Sequence, residues 1–323
     1  MNWLQISIYT TSEGIEPVSG RLYQLGITGL EIEDEQDFKD FLENNRQYWD
    51  YVDDELIKEK EGETRIKAYV SENAHGQEMI IAIKNTLSEL KEYDRDGIFG
   101  RLELSIDSMD EEDWANNWKQ YFHPIEIGKK ILIKPEWENL SEPTERLVFN
   151  VNPGMTFGTG SHHTTRLCIE ALERYVEAGS TVLDLGCGSG ILSIISLMLG
   201  ANDATAVDID PNAVKIAYEN ADRNQIDRSK YHVFSGNILT DSTVQARIGE
   251  QKYDIVVANI VADVIIGLAP MAKKYIKPNG IFITSGIIED RADEVEAALI
   301  GAGFRITEKN QQADWCEFTA IAE

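Results

Sequence analysis

Cysteine is scarce, and basic residues are heavily outnumbered. The 323 residues hold only Cys168, Cys187 and Cys316, an odd number at wide spacing. That pattern builds neither a disulfide framework nor a zinc site, and it suits a reducing cytoplasm. Lys and Arg total 30 against 56 Asp and Glu, a formal net charge of -26. Such a surface repels phosphate backbones, so direct contact with nucleic acid is not expected. Long apolar runs are missing too. None reaches the roughly 18 residues of a membrane span. The opening Met1-Asn2-Trp3-Leu4-Gln5-Ile6-Ser7-Ile8 alternates apolar and polar residues and has none of the basic flank and apolar block of a signal peptide. The expectation is a cytoplasmic protein with no membrane contact. Its acidic field would draw in a basic protein substrate, or serve solubility alone.

What is present is ordinary for a globular chain: 42% hydrophobic and 27% charged residues. At about 100 to 200 residues per domain, the length suits two. In residues 1–108, alternating patterns near 3–10, 28–33, 64–71 and 101–107 are interleaved with helical patterns near 14–25 and 76–92. The order βαββαβ predicts a ferredoxin-like α+β domain. The stretch 31–63 carries 14 acidic and 4 basic residues and reads as a hydrated excursion.

Residues 109–127 are expected to form a linker helix, opening on Asp110-Glu111-Glu112-Asp113 and ending before Pro124. Trp114 and Trp118 share one of its faces, for packing between domains or for substrate contact. From 128 to 323, strands expected near 129–135 and 146–151 precede β-rich runs at 181–185, 204–207, 231–234, 254–258, 280–284 and 304–307, alternating with helical patterns. This predicts a mostly parallel sheet covered on both faces, an α/β Rossmann-like domain. A last run, 316–321, follows a short turn and is expected to be antiparallel.

Thr181-Val182-Leu183-Asp184-Leu185-Gly186-Cys187-Gly188-Ser189-Gly190-Ile191-Leu192 reads as a buried strand, a glycine turn and the start of an apolar helix. Glycines let the backbone turn sharply and approach a ligand. The spacing of Gly186, Gly188 and Gly190 is Gly-x-Gly-x-Gly, not the Gly-x-Gly-x-x-Gly of dinucleotide folds, whose helix N-terminus neutralises a pyrophosphate. S-adenosylmethionine has no phosphate; it carries an ammonium, a carboxylate and a sulfonium. Asp184 suits the cationic amino-acid end of that cofactor. The next strand ends at Asp208, where a carboxylate can accept both ribose hydroxyls, and Asp210-Pro211 cap and open the following helix. A nicotinamide enzyme, or a binding module on the same fold, is the alternative.

At these residues the chain resembles class I methyltransferases, and other segments narrow the likeness. Pro153-Gly154-Met155-Thr156-Phe157-Gly158-Thr159-Gly160-Ser161-His162-His163-Thr164-Thr165 is similar to a signature of the PrmA family, the methyltransferases of ribosomal protein L11. So are Asp113-Trp114 through Trp118-Lys119, Phe122-His123-Pro124, and Val257-Ala258-Asn259-Ile260. His163 departs from the family's usual proline. The resemblance implies an N-terminal domain that recognises L11, a mobile linker, and methylation of amino nitrogens, the N-terminal α-amine and lysine ε-amines. It places Thr165, Gly186, Asp208 and Asn259 at cofactor-binding positions.

Physically, Thr165 near a helix start suits the methionine carboxylate; with Thr164 it could instead cap the helix. The adjacent histidines lack acids at ligand spacing, and no metal is expected. Asn259 is expected at the carboxyl end of the fourth core strand, the catalytic edge of such a sheet. It is followed by Ile260-Val261-Ala262 rather than Pro-Pro-aromatic, so nothing stacks on a planar amide or base and an aliphatic amine fits better. Asn259 could accept a hydrogen bond from that amine and aim its lone pair.

Overall fold

The computed structural model describes residues 3–27, 29–34, 63–106, 122–140, 142–152, 160 and 162–323. Most of the acidic excursion, the helix expected over 110–122 with Trp114 and Trp118, and the signature loop up to Ser161 apart from Gly160 lie outside them. The chain divides into two compact units, Met1–Phe122 and His123–Glu323.

In the first unit, β1 (Trp3–Tyr9), α1 (Ile15–Gln24), β2 (Leu30–Glu33), β3 (Arg65–Ser71), α2 (Ala74–Tyr93) and β4 (Glu103–Ile106) follow the expected order. Their sheet runs β2-β3-β1-β4, with every neighbouring pair antiparallel, which is the ferredoxin-like arrangement. Alternation decides which face is covered. Leu4, Ile6 and Ile8 of β1 and Ile66, Ala68 and Val70 of β3 are buried with Val18 and Leu22 of α1 and Ile80 and Ile83 of α2. Each fully buried aliphatic side chain contributes on the order of 1.5 to 3 kcal/mol. Asn73 starts α2 by accepting the Gly76 N–H at 3.0 Å.

The second unit opens with a small sheet of β5 (Ile125–Ile127), β6 (Ile131–Pro135) and β7 (Leu147–Val151), in which β5 pairs antiparallel and β7 parallel to β6. The expected linker, 109–127, would have contained β5; its pairing ties it to the second unit instead. The main elements are α3 (His163–Tyr175), β8 (Thr181–Leu185), α4 (Ile191–Met198), β9 (Asp203–Asp208), α5 (Pro211–Arg223), β10 (Tyr231–Ser235), α6 (Ser242–Ile248), β11 (Tyr253–Asn259), α7 (Ala262–Tyr275), β12 (Ile276–Ile288), α8 (Ala292–Gly301), β13 (Phe304–Gln312) and β14 (Trp315–Ala322). Their sheet has the order β10-β9-β8-β11-β12-β14-β13. The core strands are parallel, and β14 is antiparallel to both neighbours.

Two apolar layers sandwich this sheet. Val182, Ile255 and Val257 face α3, α4 and α5, whereas Leu183, Leu185, Val256 and Ala258 face α6, α7 and α8. Strands buried on both faces are expected where helices cover each side. The order reverses between β8 and β11, so the carboxyl ends of these two strands flank the crevice where open α/β sheets bind ligands. Two strands outrun expectation. β13 continues to Gln312 because it zips against β14 down to the pair Gln312–Trp315, and β12 starts at Ile276, which pairs with Tyr253 ahead of an irregularity that resumes at Ile255–Ile281.

Candidate active site

The three glycines after β8 differ in what they permit. All have positive φ: +74° at Gly186, +49° at Gly188 and +76° at Gly190, a region that L side chains enter at a cost. A Cβ on Gly186 would stand 2.7 Å from Cδ1 of Ile260, and one on Gly190 would strike the Tyr231 hydroxyl and Ala217. At these two, an added side chain would meet neighbours. A Cβ on Gly188 would meet nothing within 4 Å. At the switch point, open space over a bare backbone is what a ligand needs.

The loop is held from below by β9. Gly186 and Cys187 N–H donate to the Val207 carbonyl at 2.8 and 3.1 Å. Gly188 N–H donates to Oδ2 of Asp208 at 2.7 Å, and Asp210 N–H donates to Oδ1 at 2.9 Å. A carboxylate has about four acceptor positions, so the partly exposed Asp208 keeps capacity for two hydroxyls. Asp210 caps α5 through the Asn212 N–H at 2.8 Å, and Pro211 opens that helix. Burial pushes the Cys187 thiol up, with Asp184 and Asp208 adding to it, so Cys187 is a neutral packing residue.

Asp184 is placed differently from the expectation. Only 1% exposed, it lies beneath the loop, where Oδ2 accepts the Ser193 N–H at 3.0 Å and Oδ1 has no partner among the described residues. Burial raises its carboxyl to about 7; Ser193 hydrogen bonds oppose this and Asp208 adds to it. Ser193 in turn donates to the Gly190 carbonyl at 3.0 Å and meets the Tyr231 hydroxyl at 3.1 Å. Asp184 therefore fixes the start of α4, and through it the third glycine. Sequence reasoning missed Ser193 and Tyr231; a hydroxyl inside the apolar run Ile191-Leu192-Ser193-Ile194 was the available signal.

Across the switch point, α3 and β11 bring Thr165 and Asn259 together, Asn259 Nδ2 donating to Thr165 Oγ1 at 3.3 Å. Thr165 is buried and Asn259 partly exposed. With its nitrogen turned to Thr165, Asn259 keeps Oδ1 as an acceptor. Neither threonine caps α3. His162 does, its Nδ1 accepting the Thr164 N–H at 3.3 Å and meeting the Thr164 hydroxyl at 2.7 Å. The His162 ring also makes an edge contact with Trp315 of β14, centroids 4.8 Å apart. Among the described residues, no group of three or more His, Cys, Asp or Glu is placed to hold a metal.

The donor set fits an adenosylmethionine-like ligand: an open glycine turn, a carboxylate at the end of β9 and an amide acceptor at the end of β11. Known proteins agree. The family model for ribosomal protein L11 methyltransferase (PrmA) matches residues 2–323. The chain belongs to the PrmA family. A ribosomal protein L11 methyltransferase of Alkaliphilus oremlandii is 40% identical over 315 residues, covering 98% of this chain and 97% of its own. One from Clostridium perfringens is 42% identical over 313 residues, covering 97% and 96%. Among solved structures, the ribosomal protein L11 methylase of Lactobacillus delbrueckii subsp. bulgaricus superimposes with a TM-score of 0.56 at 30% identity, over 62% of this chain and all of that one. The full-length PrmA relationship covers both units, including the first, whose sequence carried little chemistry of its own.

Proposed function

We propose that this PrmA-family chain transfers methyl groups from S-adenosylmethionine to amino groups of ribosomal protein L11, the N-terminal α-amine and lysine ε-amines. The observation that carries the site assignment is the Asn259–Thr165 pair standing across the switch point from the open Gly188 turn. When bound, S-adenosylmethionine supplies a methyl carbon activated by a sulfonium. Gly186, Gly188 and Gly190 shape the turn against which it lies, Asp208 accepts its ribose hydroxyls, and Asp184 holds the turn rigid from below. Thr165 fixes the rotamer of Asn259, and Asn259 Oδ1 accepts an N–H of the incoming amine, aiming the nitrogen lone pair. Positioning of this kind is the principal aid an enzyme gives to a direct displacement.

The amine must be neutral to react. About a tenth or more of an α-amine is neutral at pH 7, against less than about a thousandth of a lysine, so a lysine target needs a drier setting. Asn259 is followed by Ile260 and Val261, which offer an apolar approach and no stacking ring. Residues 1–108 are assigned to substrate recognition, 109–122 to joining the units, and the second unit, from His123, to catalysis. A cytoplasmic location follows from the substrate; no helix among the described residues is long and apolar enough to cross a membrane. Incubating the chain with methyl-labelled cofactor and purified L11, then mapping the label by mass spectrometry, tests the reading. Label on carboxylates or on no residue of L11 would overturn it.

A further inference from the structure

Glu317 is fully buried in the middle of a sheet, where a carboxyl is costly unless its oxygens are satisfied. On β14, Cys316, Phe318 and Ala320 point into the layer of α6, α7 and α8; by alternation Glu317 and Thr319 point to the α3 side. One Glu317 oxygen accepts the Thr319 hydroxyl and the other accepts Asn310 Nδ2 at 2.7 Å.

Its place in the sheet links it to the catalytic edge. β12 pairs with β14 at Thr284–Phe318 and again at Ile287–Cys316, so Ser285 and Gly286 bulge opposite Glu317. Ser285 is the partner of Asn259 across β11 and β12. Its carbonyl accepts the Ile260 N–H at 2.9 Å, and its hydroxyl donates to the Cys316 carbonyl at 2.9 Å. A row of polar residues, Glu317, Ser285 and Asn259, thus crosses three neighbouring strands.

A second link runs through α3. Cys168 is fully buried one turn after Thr165. Its thiol is pushed up first by burial, then by the charges of Glu317 and Asp184. At the far end of α3, Arg174 bonds Glu308 at 2.8 Å and Tyr175 bonds the other oxygen of Glu308, while Asn310 reaches both Glu308 and Glu317.

We propose that Glu317 is a positioning residue for methyl transfer: opposite the bulge at Ser285, the strand neighbour of Asn259, and tied through Asn310 and Glu308 to the end of α3, it sets α3 against the sheet edge so that Asn259 and Thr165 meet. The inference rests on the function proposed above. Glu317 touches neither cofactor nor amine, and it sits two strands from Asn259, on the side away from the glycine turn and Asp208. Its loss therefore disturbs the acceptor side of the site and spares the cofactor side.

The test uses the full chain and four variants: Glu317→Met, which keeps length but no acceptor; Glu317→Gln, which keeps one acceptor; Thr319→Val; and Asn310→Ala. Cofactor Kd is measured by calorimetry, kcat and KM with L11 well below Tm, and Tm by scanning. Glu317→Met should lower kcat tenfold or more while Kd and KM for the cofactor stay within about twofold. Glu317→Gln should recover part of that loss, and Thr319→Val and Asn310→Ala should show smaller losses of the same kind. A fall in Tm with kcat intact would reduce Glu317 to a structural residue, and a parallel loss of cofactor affinity and kcat would also overturn the proposal. If Glu317→Met does not fold, the other three variants decide by the same criteria. Failure of the unaltered chain to methylate L11 is a separate result; it would overturn the proposed function before any variant is compared.

Discussion

Asn259 and Thr165, 94 positions apart in the chain, meet through a 3.3 Å hydrogen bond from amide to hydroxyl. The bond leaves Oδ1 of Asn259 as the atom proposed to meet the amine. Thr165→Val, nearly the same shape without the hydroxyl, should lower kcat by roughly tenfold, the value of about one hydrogen bond in the reacting geometry. Asn259→Ala should cost about a hundredfold or more. Steady-state kinetics with L11 and a saturating cofactor check both; an unchanged kcat in either variant removes that residue from the acceptor site.

Asp208 supports its own loop, because Gly188 and Asp210 both donate to it, besides the ribose-binding role proposed for it. Asp208→Ala should weaken cofactor binding by roughly 2 to 3 kcal/mol through lost charge-assisted bonds. The test is calorimetric titration with S-adenosylhomocysteine on a variant whose circular dichroism is native. Equal affinity would place the ribose elsewhere.

The buried carboxyl of Asp184 gives a pH signature. Its value is raised from 3.8 to about 7, so folding favours the protonated form. The associated stability is fully present below the unfolded value and is lost as pH rises through the folded one. Asp184→Asn cannot titrate. The Tm advantage of the unaltered chain over this variant should therefore shrink between about pH 4 and pH 7, in ligand-free scans. A constant difference would mean that Asp184 stays ionised throughout.

A truncated chain should keep cofactor binding but lose most activity on intact L11, and much less on a short amine peptide, since distant contacts raise the effective concentration of the amine. The structure moves the cut. Starting near 128 would remove β5 from its pairing with β6, so the truncation should begin at His123. Equal losses of kcat/KM on both substrates would sink the assignment of recognition to the first unit.

Both architectures were legible because alternation and glycine turns are local signals. The run 181–185 reappears residue for residue as β8, and βαββαβ reappears as a sheet in the ferredoxin-like order. The acids were harder. Asp184 and Asp208 both stand at strand ends near glycines, and sequence alone assigned both to the cofactor; burial separates the carboxyl under the loop from the partly exposed one proposed to accept the ribose. Glu317 was invisible for the same reason, since a single acid in a strand marks a solvent face unless β14 is known to lie inside the sheet.

That interior position has a kinetic side. β13 is hydrogen-bonded to the sheet only through β14, and the two are joined by the turn at Ala313 and Asp314. Such a hairpin has the local contacts that form in about 1 to 10 μs, while its pairing with β12 must wait for the rest of the sheet. Glu317 then sheds its water only when the ribbon docks against β12. Substitutions in the turn should register in the refolding rate only if the ribbon is already formed at the barrier, a question for φ-value measurement.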